Sequence, residues 1–421
     1  MEAGYAITTY KMQLNYRHLD WIKATNTLYN DVLIFYYDLL KKNVNLLAFS
    51  NQNLLRQLEL KTIKQRNGTL PETPLPFEKV PLYFRRAAIN AAISTMRIYV
   101  GEVKTYEAQK AKAEKETRVF KYNPPNPPQK INASMVYYKG MYKAFDTKSI
   151  LLKLYNGKSW VWMKHPFTGR AFPKNAEIMS PTIVLKQKKV MLHVPVKEKV
   201  EDTRTAKARV KDNEKFCAVA LTGSDALAVC TILNADGSAT NPYFIKGGKK
   251  LAHRRKQLLG YAKRSPVKTK TKNSKYYRKI TAVTDHYAHD VSRKIVDHAV
   301  KYGAKLIVLP DLEESLRNHQ KFYLGNTTFS FIGRRIIEYT RYKAWQNGIV
   351  TMTSRPYYAS SRCYYCGEEI KKYNKITQPP SKHFYGGKNY ICETGHQGST
   401  HLNTARNIGK AFYEAFYQKI A

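Results

Sequence analysis

The spacing of apolar and polar residues in the first 200 positions predicts a β-rich region that helices interrupt. Residues 5 to 16 alternate as a half-buried strand does, and apolar residues at helical spacing predict helices over 18 to 42 and 50 to 66. After a proline-rich turn region, the pattern predicts a third helix over 82 to 117. Short Val-, Ile-, Tyr- and Leu-rich runs, broken by turn residues, predict several strands over 119 to 200.

The second half of the chain has a different order of elements, after a mixed-charge segment from 197 to 215 that predicts a linker. Apolar runs predict strands at 216–222, 227–234, 240–246, 305–310 and 349–353, and helical spacing predicts helices at 248–264, 280–303 and 327–347. The 305–310 run is continuously apolar, as expected for a strand in the middle of a sheet that is covered on both faces. Hairpin strands followed by strand–helix alternation are typical of the ribonuclease-H-like plan, so we expect an α+β multidomain fold.

Basic residues greatly outnumber acidic ones along the whole chain. The 421 residues predict two or three domains and contain 72 Lys and Arg against 31 Asp and Glu, a formal net charge of +41 that indicates a polyanionic partner. No apolar run approaches the roughly 18 residues of a membrane span, so we expect a nucleic acid rather than a membrane. The 32 tyrosines include candidates for base stacking, although most are expected in the core. Lys268, Lys270 and Lys272, in a Lys-rich loop from 263 to 279, are candidates for phosphate contacts.

Cysteine usage indicates a reducing compartment. Five cysteines, only two of them closely spaced, do not suggest a secreted disulfide framework and favour a cytoplasmic location. Cys217 and Cys230 lie in apolar runs, and we expect both to be buried free thiols.

The other three cysteines have the spacing of a zinc site. Cys363-x2-Cys366-Gly places two thiolates on one tight turn, and Cys392-x3-His396 supplies two further candidate ligands. His383 is an alternative fourth ligand. Such a structural zinc would shape a lobe without doing chemistry. The alternative is a ribbon with free thiols that packing alone holds together.

Motifs in the C-terminal half resemble, in sequence and in order, the C-terminal half of TnpB, the transposon-encoded RNA-guided nucleases from which the type V CRISPR effectors descend. They are Ser-Arg-Lys-Ile-Val-Asp-His-Ala (292–299), Leu-Ile-Val-Leu-Pro-Asp-Leu (306–312), Tyr-Lys-Ala (342–344), Gly-Ile (348–349), Ser-Ser-Arg-Cys-Tyr-Tyr-Cys-Gly (360–367) and Asn-Thr-Ala-Arg-Asn-Ile (403–408). The N-terminal half is similar in architecture only.

The resemblance implies a division into four parts. A β-rich wedge domain would comprise 1–17 and 118–205, with a helical recognition lobe at 18–117. A RuvC-like nuclease domain would comprise 213–354 and 399–421. A zinc-ribbon insertion that binds target nucleic acid would occupy 355–398.

The resemblance also implies where cutting residues would lie. Active relatives hold two metal ions with three carboxylates, and those positions align with Leu221, Pro310 and His401. Leucine and proline cannot ligate a cation, and magnesium prefers oxygen ligands to imidazole. The chain is therefore similar to the nuclease-dead TnpB-like repressors (TldR), which need no catalytic magnesium. Such a protein binds a guide RNA and a double-stranded DNA target beside a short flanking motif, blocks transcription, and works in the prokaryotic cytoplasm at the nucleoid.

The start of the third predicted helix resembles the region of the recognition lobe that reads the flanking motif. It contains Tyr83, Arg85, Arg86 and Asn90, and the polar segment 51–57 belongs to the same region. The alternative is a solvated helix face beside a core stripe.

Three other functions stay open at this point. A nuclease with relocated carboxylates could use Asp225, Asp236, Asp311 or Glu313, although Asp236 is better explained as a turn residue and Asp311 as the second acidic neighbour in the family motif. An RNA-guided targeting subunit for transposition needs binding alone. A guide-free DNA-binding zinc protein is the third, without a helix-turn-helix or finger array to support it.

Overall fold

A computed structural model describes residues 4–65, 67–173, 177–186, 189–264, 274–311, 327–354, 358–375, 377–382 and 387–417. The chain forms two compact units. One is Ile7–Glu198, and the other combines Met1–Ala6 with Lys199–Ala421.

The unit Ile7–Glu198 combines an eight-stranded sheet with three α-helices. The helices are α1 (Leu19–Lys42), α2 (Asn51–Thr62) and α3 (Leu82–Lys115), with a 3-10 helix at Val44–Ala48. The strands are β1 (Tyr5–Leu14), β2 (Met135–Val136), β3 (Tyr142–Lys143), β4 (Ser149–Tyr155), β5 (Trp160–Thr168), β6 (Glu177–Ile178), β7 (Thr182–Lys186) and β8 (Lys189–Lys199). Their order is β2-β7-β8-β1-β5-β4-β3, with β6 paired to β8. The predicted helices at 18–42, 50–66 and 82–117 are therefore confirmed.

Apolar residues at helical spacing bring α1 and α3 together. Tyr29 and Tyr36 of α1 are fully buried, and the ring of Tyr29 meets Phe84 of α3 edge to face with centroids 5.6 Å apart. The Tyr29 hydroxyl donates to the Ala87 carbonyl at 3.2 Å, which satisfies the one polar atom of this side chain. Helices and sheet form one compact unit, so a division between a wedge domain and a recognition lobe stays a prediction.

The second unit contains a five-stranded sheet. Its strands are β9 (Phe216–Leu221), β10 (Ala226–Leu233), β11 (Ala239–Lys246), β12 (Leu306–Pro310) and β13 (Val350–Ser354), in the order β11-β10-β9-β12-β13. Its helices are α4 (Ala206–Lys211), α5 (Gly248–Arg264), α6 (Ser274–Lys301), α7 (Thr327–Gln346) and α8 (Thr400–Phe416). β9 pairs antiparallel with β10 and parallel with β12, which pairs parallel with β13.

Apolar residues on both faces of this sheet are buried. Val219 and Leu309 pack with α6 and α7 on one face, whereas Phe216 and Val308 pack with α8 on the other. α8 lies close to the sheet because Gly409 has no side chain, since a Cβ there would come within 2.4 Å of Leu233. Both faces being covered explains why the predicted strand at 305–310 is continuously apolar.

Two sequence predictions for this unit were wrong. The expected linker folds into the unit, with α4 and a fully buried Arg209 whose guanidinium donates to the carbonyls of Asp202, Arg204 and Lys305. Residues 274–279, predicted as part of a loop, form the first turns of α6, because Lys and Arg are good helix formers.

A small three-stranded sheet lies between β13 and α8 in the chain. It consists of β14 (Ile370–Tyr373), β15 (Asn389–Cys392) and β16 (Gln397–Ser399), paired antiparallel. Ile370 and Tyr390 are buried beside Cys363 and Cys392. Among the described helices, none combines the length and apolarity that a membrane span requires.

Candidate functional site

Leu221 and Pro310 end two adjacent parallel strands. The register pairs Phe216 with Leu306 and Ala218 with Val308, so the carboxyl ends of β9 and β12 meet at one edge of the sheet. Continuing this register in equal steps places Leu221 level with Asp311, one residue beyond Pro310. The Asp311 amide donates to the Ser354 carbonyl at 3.2 Å and extends the ladder between β12 and β13.

His401 lies in the first turn of α8 in a basic environment. Burial, together with the positive charges of Lys372 and Lys388, lowers the pKa of His401. Its Nε2 is buried without a hydrogen-bond partner among the described residues. A neutral imidazole beside two ammonium groups is poorly suited to hold a hard divalent cation.

The two aspartates nearest to β9 and β10 have structural roles. The Asp225 carbonyl accepts from the amides of Gly247 and Gly248, at 2.9 and 2.8 Å, and its Oδ1 accepts from the Lys249 amide at 3.2 Å, at the start of α5. Asp236 Oδ1 accepts from the Ser238 amide and hydroxyl in the hairpin between β10 and β11, so its interpretation as a turn residue is confirmed. Glu313 lies outside the described residues.

Cys363, Cys366, Cys392 and His396 form a compact cluster, with one potential ligand atom from each within 4.8 Å of the others. Within the described residues, no other group of three or more His, Cys, Asp and Glu is as close. Two tight turns position the cluster, one closed by the Gly367 amide on the Cys363 carbonyl and one by the Cys392 amide on the His396 carbonyl. His383 lies outside the described residues. Cys217 and Cys230 are buried free thiols, as predicted.

The spacing within the cluster fits a tetrahedral zinc. Zn–S bonds of about 2.3 Å place two sulfurs about 3.8 Å apart, and Cys366 Sγ lies 3.7 Å from Cys392 Sγ. A Zn–N bond of about 2.0 Å gives a sulfur–nitrogen separation of about 3.5 Å, and Cys392 Sγ lies 3.5 Å from His396 Nδ1. The donor set is therefore the right size and chemistry for a structural zinc ion.

One thiol of the cluster already favours the thiolate form that binds a metal. Hydrogen bonds from the Thr394 hydroxyl and the Glu368 amide lower the pKa of the Cys366 thiol to about 6. Burial raises the pKa of Cys363, and hydrogen bonds that His396 donates to the sulfurs of Cys366 and Cys392 raise the pKa of His396. Because metal ligands must be deprotonated, a metal that bound here would displace the protons of Cys363 and His396.

Two asparagines of α8 fasten the turn that contains Cys363 and Cys366. Asn403 Nδ2 donates to the Arg362 carbonyl at 2.7 Å, and its Oδ1 accepts from the Tyr364 amide at 2.9 Å. Asn407 Nδ2 donates to the carbonyls of Ala359 and Arg362. The Asn-Thr-Ala-Arg-Asn-Ile motif therefore serves, at least in part, to hold the cysteine turn on the helix.

An aromatic and cationic surface adjoins the cluster. The Arg406 guanidinium lies over the rings of Tyr364 and Tyr365, 5.7 and 5.5 Å from their centroids. Tyr365 is 54% exposed and stacks on His396 with centroids 5.1 Å apart. Both tyrosines belong to the Ser-Ser-Arg-Cys-Tyr-Tyr-Cys-Gly motif, and their position between two candidate ligand cysteines is the sequence signal for this surface.

The four residues predicted to read the flanking motif lie on one helix but differ in exposure and in the partners that they already bind. Arg85 and Arg86 both bind the Glu59 carboxylate of α2, at 3.0 and 2.9 Å, and the Arg85 side chain is only 12% exposed. Tyr83 is 44% exposed. Glu59, which no sequence pattern connects with these arginines, neutralises much of the basic character of this face.

Asn90 lines a shallow groove of about 460 Å³ between α2 and α3. Its amide donates to the Tyr138 hydroxyl at 3.0 Å, and Asn51 and Gln52 add further amides to the lining. Amide side chains can read base edges, so this groove is better placed for recognition than the two arginines.

Lys268, Lys270 and Lys272 lie outside the described residues. The helix that precedes them, α5, is strongly basic and contains no Asp or Glu. Its exposed cations are Lys249, Lys250, Arg254, Lys256, Lys263 and Arg264. The sequence predicts a helix here, but only the structure shows that these six cations are exposed.

Comparisons with known proteins match both halves of the chain. A model of the Cas12f1-like TNB domain matches residues 334–408, which include the whole cysteine and histidine cluster, and a model of the Aq_aa04 family matches residues 6–156. The chain is 34% identical over 131 residues to the CRISPR-associated endodeoxyribonuclease Cas12f1 of Sulfoacidibacillus thermotolerans, and 28% identical over 180 residues to Cas12f2 of Micrarchaeota archaeon (strain CG1_02_47_40). These matches cover 31% and 41% of this chain but only 28% and 30% of the relatives, less than a third of each.

Solved structures share the fold. Cas12f1 in its complex with sgRNA and target DNA has a TM-score of 0.53 at 14% identity, over 94% of this chain and 83% of that one. The mini-RNA-guided endonuclease CRISPR-Cas phi3 has a TM-score of 0.51 at 10% identity, over 98% and 93%. The architecture is thus the mixed α+β, multidomain type of these effectors. Over the residues that they cover, the sequence matches support a protein of the superfamily that contains TnpB and the type V CRISPR effectors.

Proposed function

We propose that this protein uses a guide RNA to bind a matching DNA target and represses transcription there without cutting. The observation that carries the proposal is the lack of a metal-binding carboxylate at Leu221 and Pro310, which end neighbouring parallel strands, and at His401. Two-metal cleavage needs several carboxylates that clamp both ions. Asp311 is one carboxylate near this edge, and a single carboxylate does not make such a clamp.

The proposal assigns a role to each part of the chain. The five-stranded sheet with α8 is a degenerate RuvC-like domain (213–354 and 399–421), and 355–398 is a zinc ribbon. The wedge domain (1–17 and 118–205) and the recognition lobe (18–117) complete the architecture. The sequence matches to this superfamily and the strand order with β9 beside β12 support these assignments.

Zinc would be held by Cys363, Cys366, Cys392 and His396 and would supply only structure. Four protein ligands leave no open coordination position, so the ion would activate no water. Its effect would be to fix the exposed Tyr365 and the Arg406 guanidinium beside the turn. Such a pair of an aromatic ring and a cation suits contact with nucleic acid.

Charge supports RNA and DNA as partners. The net charge of +41 is distributed over both units, and α5 alone exposes six cations without an acidic residue. Binding to a polyanion releases its counterions, so affinity should fall steeply with salt. Base pairing would select the target, while the groove beside Asn90 would contact the flanking motif.

The experiment has two stages. RNA that co-purifies with the tagged protein is sequenced, and DNA that matches its variable end is then tested for binding. A single structured RNA that directs binding to matched but not scrambled DNA supports guided recognition. Random RNA fragments, with equal binding to both DNAs, would contradict it and favour a guide-free DNA-binding protein.

A further inference from the structure

The antiparallel strands β3, β4 and β5 present a basic face with one tryptophan. Along β5, His165 and Phe167 are buried, so alternation directs Trp162 and Lys164 to the opposite face. Trp162 is paired with Lys153 of β4, and Lys143 of β3 is paired with Leu151 of β4, which lies opposite Lys164. Lys143, Lys153, Trp162 and Lys164 therefore share one face, which we name the lysine–tryptophan platform.

The Trp162 ring brings two lysines of the platform together, while the third, Lys164, lies within electrostatic range of Asp146. Lys143 Nζ lies 4.7 Å and Lys153 Nζ 5.8 Å from the centroid of the Trp162 ring. Within the described part of the chain, neither lysine forms an ion pair. Trp162 also lies outside the apolar core against which Trp160 packs.

A half-buried tryptophan between two unpaired ammonium groups needs an explanation, since core packing does not supply one. Two positive charges held close together repel each other, and a bound anion would relieve that repulsion. The indole ring offers a flat surface on which a base can stack once a lysine side chain swings outward. Candidate contacts for a phosphate and for a base therefore lie side by side on the platform.

We infer that the lysine–tryptophan platform binds unpaired nucleotides of RNA, with the base on Trp162 and the neighbouring phosphates on Lys143 and Lys153. Unpaired bases can turn outward onto an aromatic ring, whereas the bases of a duplex are stacked on one another and cannot. The inference rests on the proposed function, in which RNA is a partner, and names the face that contacts its single-stranded part.

The test uses the full-length protein, freed of RNA, with a 20-nucleotide oligouridine and a duplex RNA of equal length as probes. Fluorescence anisotropy gives the affinity of each variant over a range of salt concentrations. Trp162→Leu should weaken oligouridine binding about fivefold or more and leave duplex binding unchanged, because stacking is lost. The matched control is Tyr122→Leu, which removes a 72% exposed aromatic ring elsewhere and should change neither affinity.

The lysines are tested by salt dependence. Lys143→Gln with Lys153→Gln should flatten the logarithmic salt slope for oligouridine by about 1.4, at roughly 0.7 for each phosphate contact. Lys41→Gln with Lys42→Gln, which removes two charges from the end of α1, is the control of equal charge. Equal flattening in both variants would overturn the inference, as would unchanged affinity in a folded Trp162→Leu protein. Equal losses of affinity for single-stranded and duplex RNA would also overturn the inference, because the platform would then not select unpaired nucleotides.

Failure of this inference is distinguishable from failure of the proposed function. If Trp162→Leu keeps both guided DNA binding and the native oligouridine affinity, the platform inference is wrong and the proposed function stands. If oligouridine binding depends on Trp162 but the co-purified RNA directs no DNA binding, the platform inference stands and the proposed function is wrong.

Discussion

The side chain of Asn403 in α8 accepts a 2.9 Å hydrogen bond from the backbone amide of Tyr364, between two candidate zinc ligands. The same side chain donates to the Arg362 carbonyl at 2.7 Å and is 2% exposed. One buried amide therefore satisfies both a donor and an acceptor of the cysteine turn. The helix that carries His401 and the turn that carries Cys363 are thus coupled through Asn403, and Asn407 adds a second link through the Arg362 carbonyl.

Asn403→Ala should loosen the cysteine turn and weaken zinc binding. Two hydrogen bonds to buried backbone groups are lost, which costs about 2 kcal/mol or more of unfolding free energy. We expect zinc to leave the variant at a lower chelator concentration, measured by a zinc-sensitive dye. The control is Thr404→Ala, whose hydroxyl bonds only the Thr400 carbonyl within the helix. If both variants hold zinc as the native protein does, the turn does not depend on Asn403.

Glu59→Gln should release two arginines on α3. Glu59 is 15% exposed and binds both Arg85 and Arg86, so the change should lower the free energy of unfolding by about 2 kcal/mol. Two unneutralised guanidinium groups should also raise affinity for nonspecific DNA and steepen its salt dependence. Glu72→Gln removes a 73% exposed partner of Lys61 and should change neither property by a measurable amount. Unchanged DNA affinity in Glu59→Gln would mean that this face does not meet DNA.

Arg209→Met should destabilise the unit that contains the five-stranded sheet. The guanidinium is fully buried, donates to three carbonyls and lies 3.3 Å from the Asp202 carboxylate. Its loss removes three hydrogen bonds and an ion pair, while Arg204 still binds the Asp202 carboxylate and the Val350 amide still donates to the Lys305 carbonyl. The change should cost about 3 kcal/mol, measured by denaturant unfolding. Arg204→Met is the comparison, because Arg204 is 42% exposed and its ion pairs are partly solvated. If Arg209→Met lowers the free energy of unfolding no more than Arg204→Met does, the buried guanidinium is not needed for the stability of this segment.

Lys343 should make stability depend on pH. Its side chain is buried between α6 and α7 and donates to the His289 carbonyl and Ser292 hydroxyl, each at 2.7 Å. Burial, together with the nearby charge of Arg293, lowers the pKa of Lys343 to about 8. Between pH 8 and about 10.4, the unfolded chain binds more protons than the folded one, so the free energy of unfolding rises with pH over this window.

Lys343→Met tests that dependence. The variant should be as stable as the native protein or more stable near pH 7, because a thioether side chain needs no hydration. The free energy of unfolding of the native protein should rise by about 2–3 kcal/mol between pH 8 and 10.4, and the variant should lack this rise. Equal pH profiles of chemical unfolding for the two proteins would contradict the assignment.

Periodicity predicted most elements of both units because it is a local property of the chain. The strands at 216–222 and 305–310 and the helices at 18–42 and 248–264 were found within about two residues of their predicted ends. Charge partners could not be predicted in the same way. Glu59 is 26 residues from Arg85, and Arg209 bonds a carbonyl 96 residues away, so only the folded chain shows that these charges are internal.

The candidate site was predictable to a similar extent. The three cysteines and His396 followed from spacing, and the structure brings all four together. The hydrogen bonds from Asn403 to the cysteine turn could not be predicted, because its partners are backbone atoms and no pattern of side chains in the sequence identifies them. Lys268, Lys270, Lys272, His383 and Glu313 lie outside the described residues, so their predicted roles are untested.

The most direct measurement is cleavage of a bound, guide-matched DNA target in the presence of magnesium or manganese. The protein is assembled with its co-purified RNA, and binding to the labelled DNA is verified before the metal is added. The proposed function predicts stable binding and no cleavage product on a denaturing gel. Products that require the metal and vanish in Asp311→Asn, while binding is retained, would contradict it and show that the strand edge beside Leu221 still cuts.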